Sequence, residues 1–288
     1  MAILIDHGTK VIVQGITGTQ GSYHTKSMLD FGTRVVGGTS PGKGGQEVHG
    51  VPVFNDAKEA VAATGADASI VLVPRQFAPG AVNDALDAGV RLIVVITEHI
   101  PVHDAIKFVH RAKRQGTVVI GPNCPGVATP GRSKVGILPD TIFRPGDVGV
   151  VSRSGTLTYE IVNSISEYGL GQSTCVGIGG DPVVGTNFIE AVEMFERDAE
   201  TKHIVLVGEI GGAAEEEAAA YVKEHVSKPV YAYIAGRAAP PGKTMGHAGA
   251  IISGSKGDAK SKVAALEAAG IKVTTWPADI PKLILGEM

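Results

Sequence analysis

The chain has 288 residues, 43% hydrophobic and 19% charged, which fits two ordinary globular domains or one large one and excludes a disordered or fibrous chain. A formal net charge of −3 with no long basic run excludes nucleic acid or a charged membrane surface as the main partner. Cys124 and Cys175 lack the spacing of a disulfide scaffold or a zinc site, and no apolar run approaches the ~20 residues of a membrane span.

The N-terminus, MAILIDHGTKVIVQG, enters a strand pattern almost at once and carries no secretory or transit signal. A cytoplasmic chain of bacterial type is expected, with a mature mitochondrial chain as the alternative. Strands are predicted at 10–14, 34–37, 68–73, 92–96 and 118–120. Helices are predicted between them at 22–31, 56–64, 78–88 and 102–115. Uniformly apolar strands separated by amphipathic helices indicate a parallel sheet covered on both faces. The stretch GPNCPGVATPGRSKVGILPDTIFRPG then breaks the pattern with Pro and Gly, and reads as an inter-domain connection. A second α/β series follows. Its strands are expected at 148–152, 173–177, 203–207, 230–234 and 272–274, and its helices at 157–168, 187–197, 213–225 and 258–269. The expected organisation is a Rossmann-like domain at 1–121, a connection at 122–146 and a flavodoxin-like doubly wound α/β domain at 147–288. Ligands in such sheets bind at the carboxyl ends of the strands.

Four motifs carry chemistry. Gly15-Ile-Thr-Gly18-Thr-Gln-Gly21 follows a strand and opens a helix. Its G-x-x-G-x-x-G spacing departs from the G-x-G-x-x-G of dinucleotide folds but keeps the physics. Glycines let the backbone approach a diphosphate, and free N–H groups at the helix start point at it. A tight turn without ligand is the plainer reading. The second strand ends in Gly-Gly where a ribose-binding acid would be expected for NAD. Lys43 follows on a glycine loop and suits an extra phosphate such as that of coenzyme A. The second motif, Ser152-Arg-Ser154-Gly155-Thr156-Leu-Thr-Tyr159, offers hydroxyl and backbone donors at a helix start, for a phosphate or carboxylate or simply as an N-cap.

In the third, Glu209 closes an apolar strand and precedes Gly-Gly. A carboxylate there can hold one imidazole nitrogen and leave the other free to react. The neighbouring Glu215, Glu216 and Glu217 read as a solvated first helical turn. The fourth is GKTMGHAGAI, in which His247 stands among Gly246, Ala248, Gly249 and Ala250. Small neighbours leave room for a phosphoryl group on the ring. His7, His49, His103, His110, His203 and His225 lack such settings and read as surface or packing residues. Cys175 reads as core. Cys124, in Asn-Cys-Pro-Gly, reads either as a loop turn or as a neighbour of a thiol-bearing ligand.

In this order the motifs resemble those of the α-subunit family of succinyl-CoA synthetase (succinate–CoA ligase), over essentially the whole chain. SRSGTLTYEIVNSISEYGLGQSTCVGIGGD and GKTMGHAGAI are the most specific segments. The resemblance implies reversible conversion of NTP, succinate and CoA into NDP, phosphate and succinyl-CoA through a phosphohistidine at His247, supported by Glu209. It implies that CoA is held by Gly15, Thr17, Gly18, Thr19, Gln20, Lys43, Ile96, Thr97 and Glu98, with Cys124 close by. Ser154, Gly155, Thr156 and Tyr159 are implied at the substrate and phosphate site. It places ATP or GTP and Mg²⁺ on a separate β subunit of ATP-grasp fold, and no metal on this chain. In keeping with this, the sequence has no G-x-x-x-x-G-K-[ST] loop. The other readings are the α-type subunit of a related ligase such as malate–CoA ligase, a non-catalytic CoA-binding Rossmann protein, and an NAD-dependent dehydrogenase. The Glu209 and His247 pair argues against the second and the missing acid against the third.

Overall fold

The computed structural model describes residues 2–240, 242, 244–252 and 257–288. Lys243 of the histidine stretch lies outside them. The chain forms two compact units, Leu4–Asp140 with Val183–Gly185, and Thr141–Pro182 with Thr186–Met288 and residues 2–3.

The first unit runs β1 (Lys10–Gln14), α1 (Thr19–Asp30), β2 (Arg34–Thr39), β3 (Glu47–Val48), β4 (Val51–Phe54), α2 (Ala57–Thr64), β5 (Ala68–Val71), α3 (Ala78–Asp87), β6 (Leu92–Val95), α4 (Val102–Gln115), β7 (Val118–Ile120), β8 (Gly126–Thr129) and β9 (Ser133–Gly136). Its sheet has the order β3-β4-β2-β1-β5-β6-β7, parallel except for the β3–β4 pair. Counting only the parallel strands in chain order gives 3-2-1-4-5-6, the order of dinucleotide-binding folds. β5 and β6 are buried along their whole length, because helices cover both faces. α4 buries Ala105, Phe108, Val109 and Ala112, a helical i, i+3, i+4, i+7 stripe. Each fully buried Val or Ile, such as Val11, Ile12 or Ile93, contributes roughly 1.5–3 kcal/mol.

Two hairpins stand where the sequence predicts loops. β4 contains Pro52, which pairs with Glu47 of the short β3, so the proline sits beside the sheet edge, where its missing N–H is tolerated. The Pro- and Gly-rich connection carries the antiparallel pair β8–β9, with Gly126 opposite Gly136. Glycine is required at both: a Cβ on Gly126 would lie 2.3 Å from the Val135 oxygen, and one on Gly136 would lie 2.3 Å from the Pro125 oxygen. The hairpin is fastened by Thr33, whose hydroxyl donates to the Lys134 carbonyl at 2.7 Å and accepts from the Lys134 amide at 2.9 Å. The Lys134 ammonium is buried. It donates to Ser27 Oγ, the Leu138 carbonyl and Asp140, and burial holds its pKa below the usual lysine value.

The second unit runs β10 (Pro145–Ser152), α5 (Gly155–Glu167), β11 (Gln172–Gly177), α6 (Phe188–Arg197), β12 (His203–Glu209), α7 (Ala214–His225), β13 (Val230–Ala235), α8 (Ala259–Ala268), β14 (Lys272–Thr274) and α9 (Ile280–Leu285). Its parallel strands follow β14-β13-β12-β10-β11. In chain order this is 2-1-3-4-5, the predicted flavodoxin-like arrangement. Local chemistry sets the helix starts. Asn187 and Glu190 form a reciprocal capping box on α6, and Asp258 caps α8 through the Ser261 amide at 2.9 Å. Among the described residues, no helix is long and apolar enough to cross a membrane, and no group of three or more His, Cys, Asp or Glu could hold a metal ion.

Candidate active site

In an open α/β sheet the crevice lies at the carboxyl edge, where the strand order reverses. In the first unit that point falls between β1 and β5, and β1 leads there into Gly15. The backbone of Gly15 is left-handed (φ +86°), and a Cβ on it would sit 2.9 Å from the Leu72 carbonyl oxygen. Gly21 is the third residue of α1, and a Cβ there would sit 2.0 Å from the Gly15 oxygen. The helix therefore starts against the turn itself, at Thr19 rather than at the predicted 22. Gly18 is its N-cap and supplies no side-chain cap, so the amides of the first turn are left open to a ligand. Thr19 and Gln20 are exposed at this start.

The structure brings Lys43 to the same loop. Its ammonium donates to Thr17 Oγ1 at 3.1 Å, and Thr17 Oγ1 lies 2.8 Å from Ser40 Oγ. Ser40 stands just beyond β2, where the acid of an NAD site is missing. Gly38 before it has a packing role, since a Cβ there would meet the Ile16 side chain at 2.4 Å. Ile96, Thr97 and Glu98 follow β6 on this edge. The Ile96 amide donates to the Val71 carbonyl, the Thr97 hydroxyl donates to the Val73 carbonyl at 2.8 Å, and Glu98 is exposed. Cys124 follows β7. Its buried thiol donates to the Val95 carbonyl at 3.2 Å and faces the strand ends.

In the second unit the order reverses between β10 and β12. β12 ends on Glu209, 6% exposed, and the His247 loop follows β13. His247 Nδ1 lies 2.8 Å from Glu209 Oε2 and 3.0 Å from Oε1. An ionised carboxylate only accepts, so Nδ1 carries a proton, and in the neutral ring Nε2 keeps its lone pair. The Glu209 hydrogen bond raises the His247 pKa; burial opposes it, the Glu209 charge adds to it, Arg153 lowers it and Asp181 raises it.

A small residue from outside the histidine's own stretch also meets the ring. A Cβ on Gly180, in the loop after β11, would lie 2.3 Å from both Cγ and Nδ1 of His247. The loop docks by main chain. Gly211, with φ +95°, could carry no side chain, since its Cβ would lie 1.9 Å from the Gly249 oxygen.

Ser154 is the N-cap of α5 and accepts, at 3.4 Å, from the Leu157 amide. Gly155 and Thr156 open that helix, and Tyr159 packs half-buried against the core around Val148, Val150 and Ile161. The segment reaches the His–Glu pair through Arg153, which the sequence reading passed over. Arg153 Nη2 lies 3.5 Å from Glu209 Oε1, and Nη1 donates to Glu215 Oε1 at 3.0 Å. The solvated reading of Glu215 is therefore corrected. It is 2% exposed, accepts from the Glu209 amide at 3.1 Å and is paired with the buried Lys262. Arg153 between two serines and Glu215 opening a helix carry no periodic signal; only the fold brings them together.

Taken together, a dinucleotide-type unit with an uncapped, open helix start and a flavodoxin-like unit with a carboxylate-held histidine fit an α/β chain of CoA-ligase class. Family models agree in the same order, a CoA binding domain matching residues 6–99 and a CoA-ligase model matching residues 151–272. The chain is 59% identical over 283 residues to a succinate–CoA ligase [ADP-forming] subunit alpha 1 of Archaeoglobus fulgidus, covering 98% of this chain and 97% of that one. It is 57% identical to the alpha subunit of the same enzyme from Aquifex aeolicus, covering 99% and 94%. A solved ATP citrate lyase of Methanothrix soehngenii, in complex with citrate and coenzyme A, superposes with TM-score 0.89 at 27% identity. That match covers 99% of this chain but 51% of the lyase, so the chain spans about half of that larger protein. An acetyl-coenzyme A synthetase of Ca. Korarchaeum cryptofilum, 20% identical with TM-score 0.73 over 96% of this chain and 60% of its own, shares the fold. The chain belongs to the succinate–CoA ligase α-subunit family.

Proposed function

We propose that this chain is the α subunit of an ADP-forming succinate–CoA ligase, interconverting ATP, succinate and CoA with ADP, phosphate and succinyl-CoA, and that His247 carries the phosphoryl group. The observation that carries the reading is the Nδ1–Glu209 contact of 2.8 Å, which leaves Nε2 as the nucleophile. In the direction of ATP synthesis, Nε2 attacks the phosphorus of succinyl phosphate. The N–P bond forms, the P–O bond to the acyl group breaks, and succinate leaves. Glu209 stabilises the ring as it becomes cationic. An oxygen of ADP then takes the phosphoryl group and the N–P bond breaks. The amides at the start of α5, behind Ser154, Gly155 and Thr156, offset the charge of the phosphorylated ring, and Tyr159 of the same helix is assigned to the substrate site.

CoA is assigned to the carboxyl edge of the first unit. Its diphosphate lies on the start of α1 at Gly15, Thr17, Gly18, Thr19 and Gln20, its outer phosphate on Lys43, and its remainder along Ile96, Thr97, Glu98 and Cys124. The open, uncapped helix start and the Lys43–Thr17 contact support this. The nucleotide and Mg²⁺ are assigned to a β subunit of ATP-grasp type, which the subunit-alpha names of the relatives support. A cytoplasmic location is part of the same reading, and the two buried thiols suit a reducing compartment.

The test is intact mass of the chain incubated with its β subunit, Mg²⁺ and ATP. A phosphoryl adduct removed by brief acid and absent in His247→Asn is expected, with CoA binding retained in that variant. No adduct on the wild-type chain, or full turnover in His247→Asn, refutes the phosphohistidine.

A further inference from the structure

Beneath the His247–Glu209 pair lies a buried ionic network with no place in the mechanism above. Arg153 is its centre. One guanidinium nitrogen reaches Glu215 at 3.0 Å and the Gly211 carbonyl at 3.3 Å, and the other lies 3.5 Å from the Glu209 carboxylate. Glu215 is occupied on both oxygens. Oε1 takes Arg153 and the Glu209 amide, while Oε2 takes Lys262, which is fully buried and also donates to Glu216 at 2.9 Å and to the Gly212 carbonyl at 3.0 Å. Burying these groups is expensive, and replacing such a network by apolar side chains often costs nothing in stability. Stability is therefore a weak reason for it.

The geometry gives a better one. Glu209 is shared between an imidazole at 2.8 Å and a guanidinium at 3.5 Å. Were Glu209 to face His247 alone, the carboxylate would hold the ring as imidazolium, without a lone pair on Nε2. Were Arg153 free of Glu215, its planar fork would close on Glu209 and take the carboxylate from the ring. Glu215, tied to both the Glu209 amide and Lys262, holds Arg153 between these extremes.

We propose that Arg153, clamped by Glu215, is a positioning residue that divides the charge of Glu209 between itself and His247, keeping the ring oriented while its Nε2 remains available to attack. This rests on the reading of His247 as the phosphoryl carrier. The charged groups facing the ring are Glu209 from β12, Arg153 from the turn before α5 and Asp181 from the loop after β11. Glu215 and Glu216 of α7 and Lys262 of α8 stand behind Arg153. The raised pKa of His247, with Arg153 pulling against Glu209, accords with this division.

The test is ring-proton NMR titration of His247 in the unphosphorylated full chain, with its signal assigned by loss in His247→Asn. Arg153→Met is expected to shift the titration upward and Glu215→Gln downward, because they remove the two sides of one competition. Arg153→Lys keeps the charge but cannot span two carboxylates; a smaller upward shift is expected, and this variant carries the test if Arg153→Met does not fold. The acid limb of the pH profile for phosphate transfer onto His247 moves in the same sense in each variant. Shifts of the same sign for Arg153 and Glu215 variants, as general loosening would produce, overturn the proposal, as does an unmoved titration in the Arg153 variants. The phosphoryl-carrier reading is judged separately, by phosphate uptake on the wild-type chain.

Discussion

Gly180→Ala isolates the fit of the histidine ring. The added Cβ would lie 2.3 Å from Cγ and Nδ1 of His247 and 2.9 Å from its Cβ, and ordinary contact begins near 3.4 Å. Gly180 does not have a left-handed backbone, so alanine is accommodated by the main chain and the whole conflict falls on the ring. The ring has to retreat by about 1 Å to reach contact distance. Glu209 cannot follow freely, because it ends a central strand with its amide on Glu215 and its carboxylate near Arg153. A retreat along the 2.8 Å bond to Oε2 then stretches it well beyond the usual range of about 2.7–3.2 Å. Misplacement on this scale costs about 10²-fold in rate, or roughly 2.7 kcal/mol of transition-state stabilisation. The fold loses only ~1 kcal/mol, at the low end for overpacking, because the ring sits on a loop. Rapid-quench measurement of radiolabelled phosphate entering His247, in the complex with the β subunit, reads the first effect, and thermal unfolding the second. CoA affinity, measured by calorimetry, is expected to be unchanged. A wild-type rate in Gly180→Ala would refute the claim that this glycine sets the ring position.

Stability depends on pH through the same pair. The Glu209 contact raises the His247 pKa above its usual 6.5, so its stabilisation is fully present below about pH 6.5 and is lost as pH rises through the folded-state value. The advantage of unphosphorylated wild type over Glu209→Gln in thermal unfolding is expected to be widest below about pH 6.5 and to shrink as pH rises through the raised folded-state pKa, and a constant gap would contradict this. Lys43→Ala is expected to weaken CoA about fivefold, an exposed ionic contact being worth ~1 kcal/mol. Dephospho-CoA should lose less, and equal losses in calorimetry would remove Lys43 from the outer phosphate. Gly21→Ala drives a methyl group to 2.0 Å from the Gly15 oxygen. It is expected to destabilise the first unit by roughly 1–3 kcal/mol and to weaken CoA binding, and a wild-type melting profile would count against the close approach of α1 to its turn.

Much of the architecture is legible in the sequence because period and burial agree. β6 is apolar and β5 buried throughout, and α4 has a clean stripe; the predicted 118–120 strand and 102–115 helix match β7 and α4 residue for residue. The start of α1 is misjudged because Gly21 disfavours a helix by local propensity, while its approach to Gly15 requires one there. β3, β4, β8 and β9 are missed because each is short and rich in Pro, Gly or polar residues, and only pairing stabilises them. At the histidine site, His247 and Glu209 are legible because each is a polar group in an apolar or small-residue setting. Arg153, Gly180 and Glu215 are not. Glu215 sits in a run of three glutamates that looks like any solvated helix start, and its burial depends on Arg153 and Lys262, 62 and 47 residues away in sequence.

The contact between Gly211 and the Gly249 carbonyl has a consequence for descent. Both partners are backbone, so a side chain gained at position 211 cannot be compensated by a smaller one opposite. Ordinary cores drift by paired exchanges, a large residue shrinking as its neighbour grows; this seam has no such route. On the phosphohistidine reading proposed above, a lineage that keeps that use of His247 is expected to keep the glycine as well. A duplicated copy released from that duty would betray the change at position 211 while His247 itself still stood unaltered.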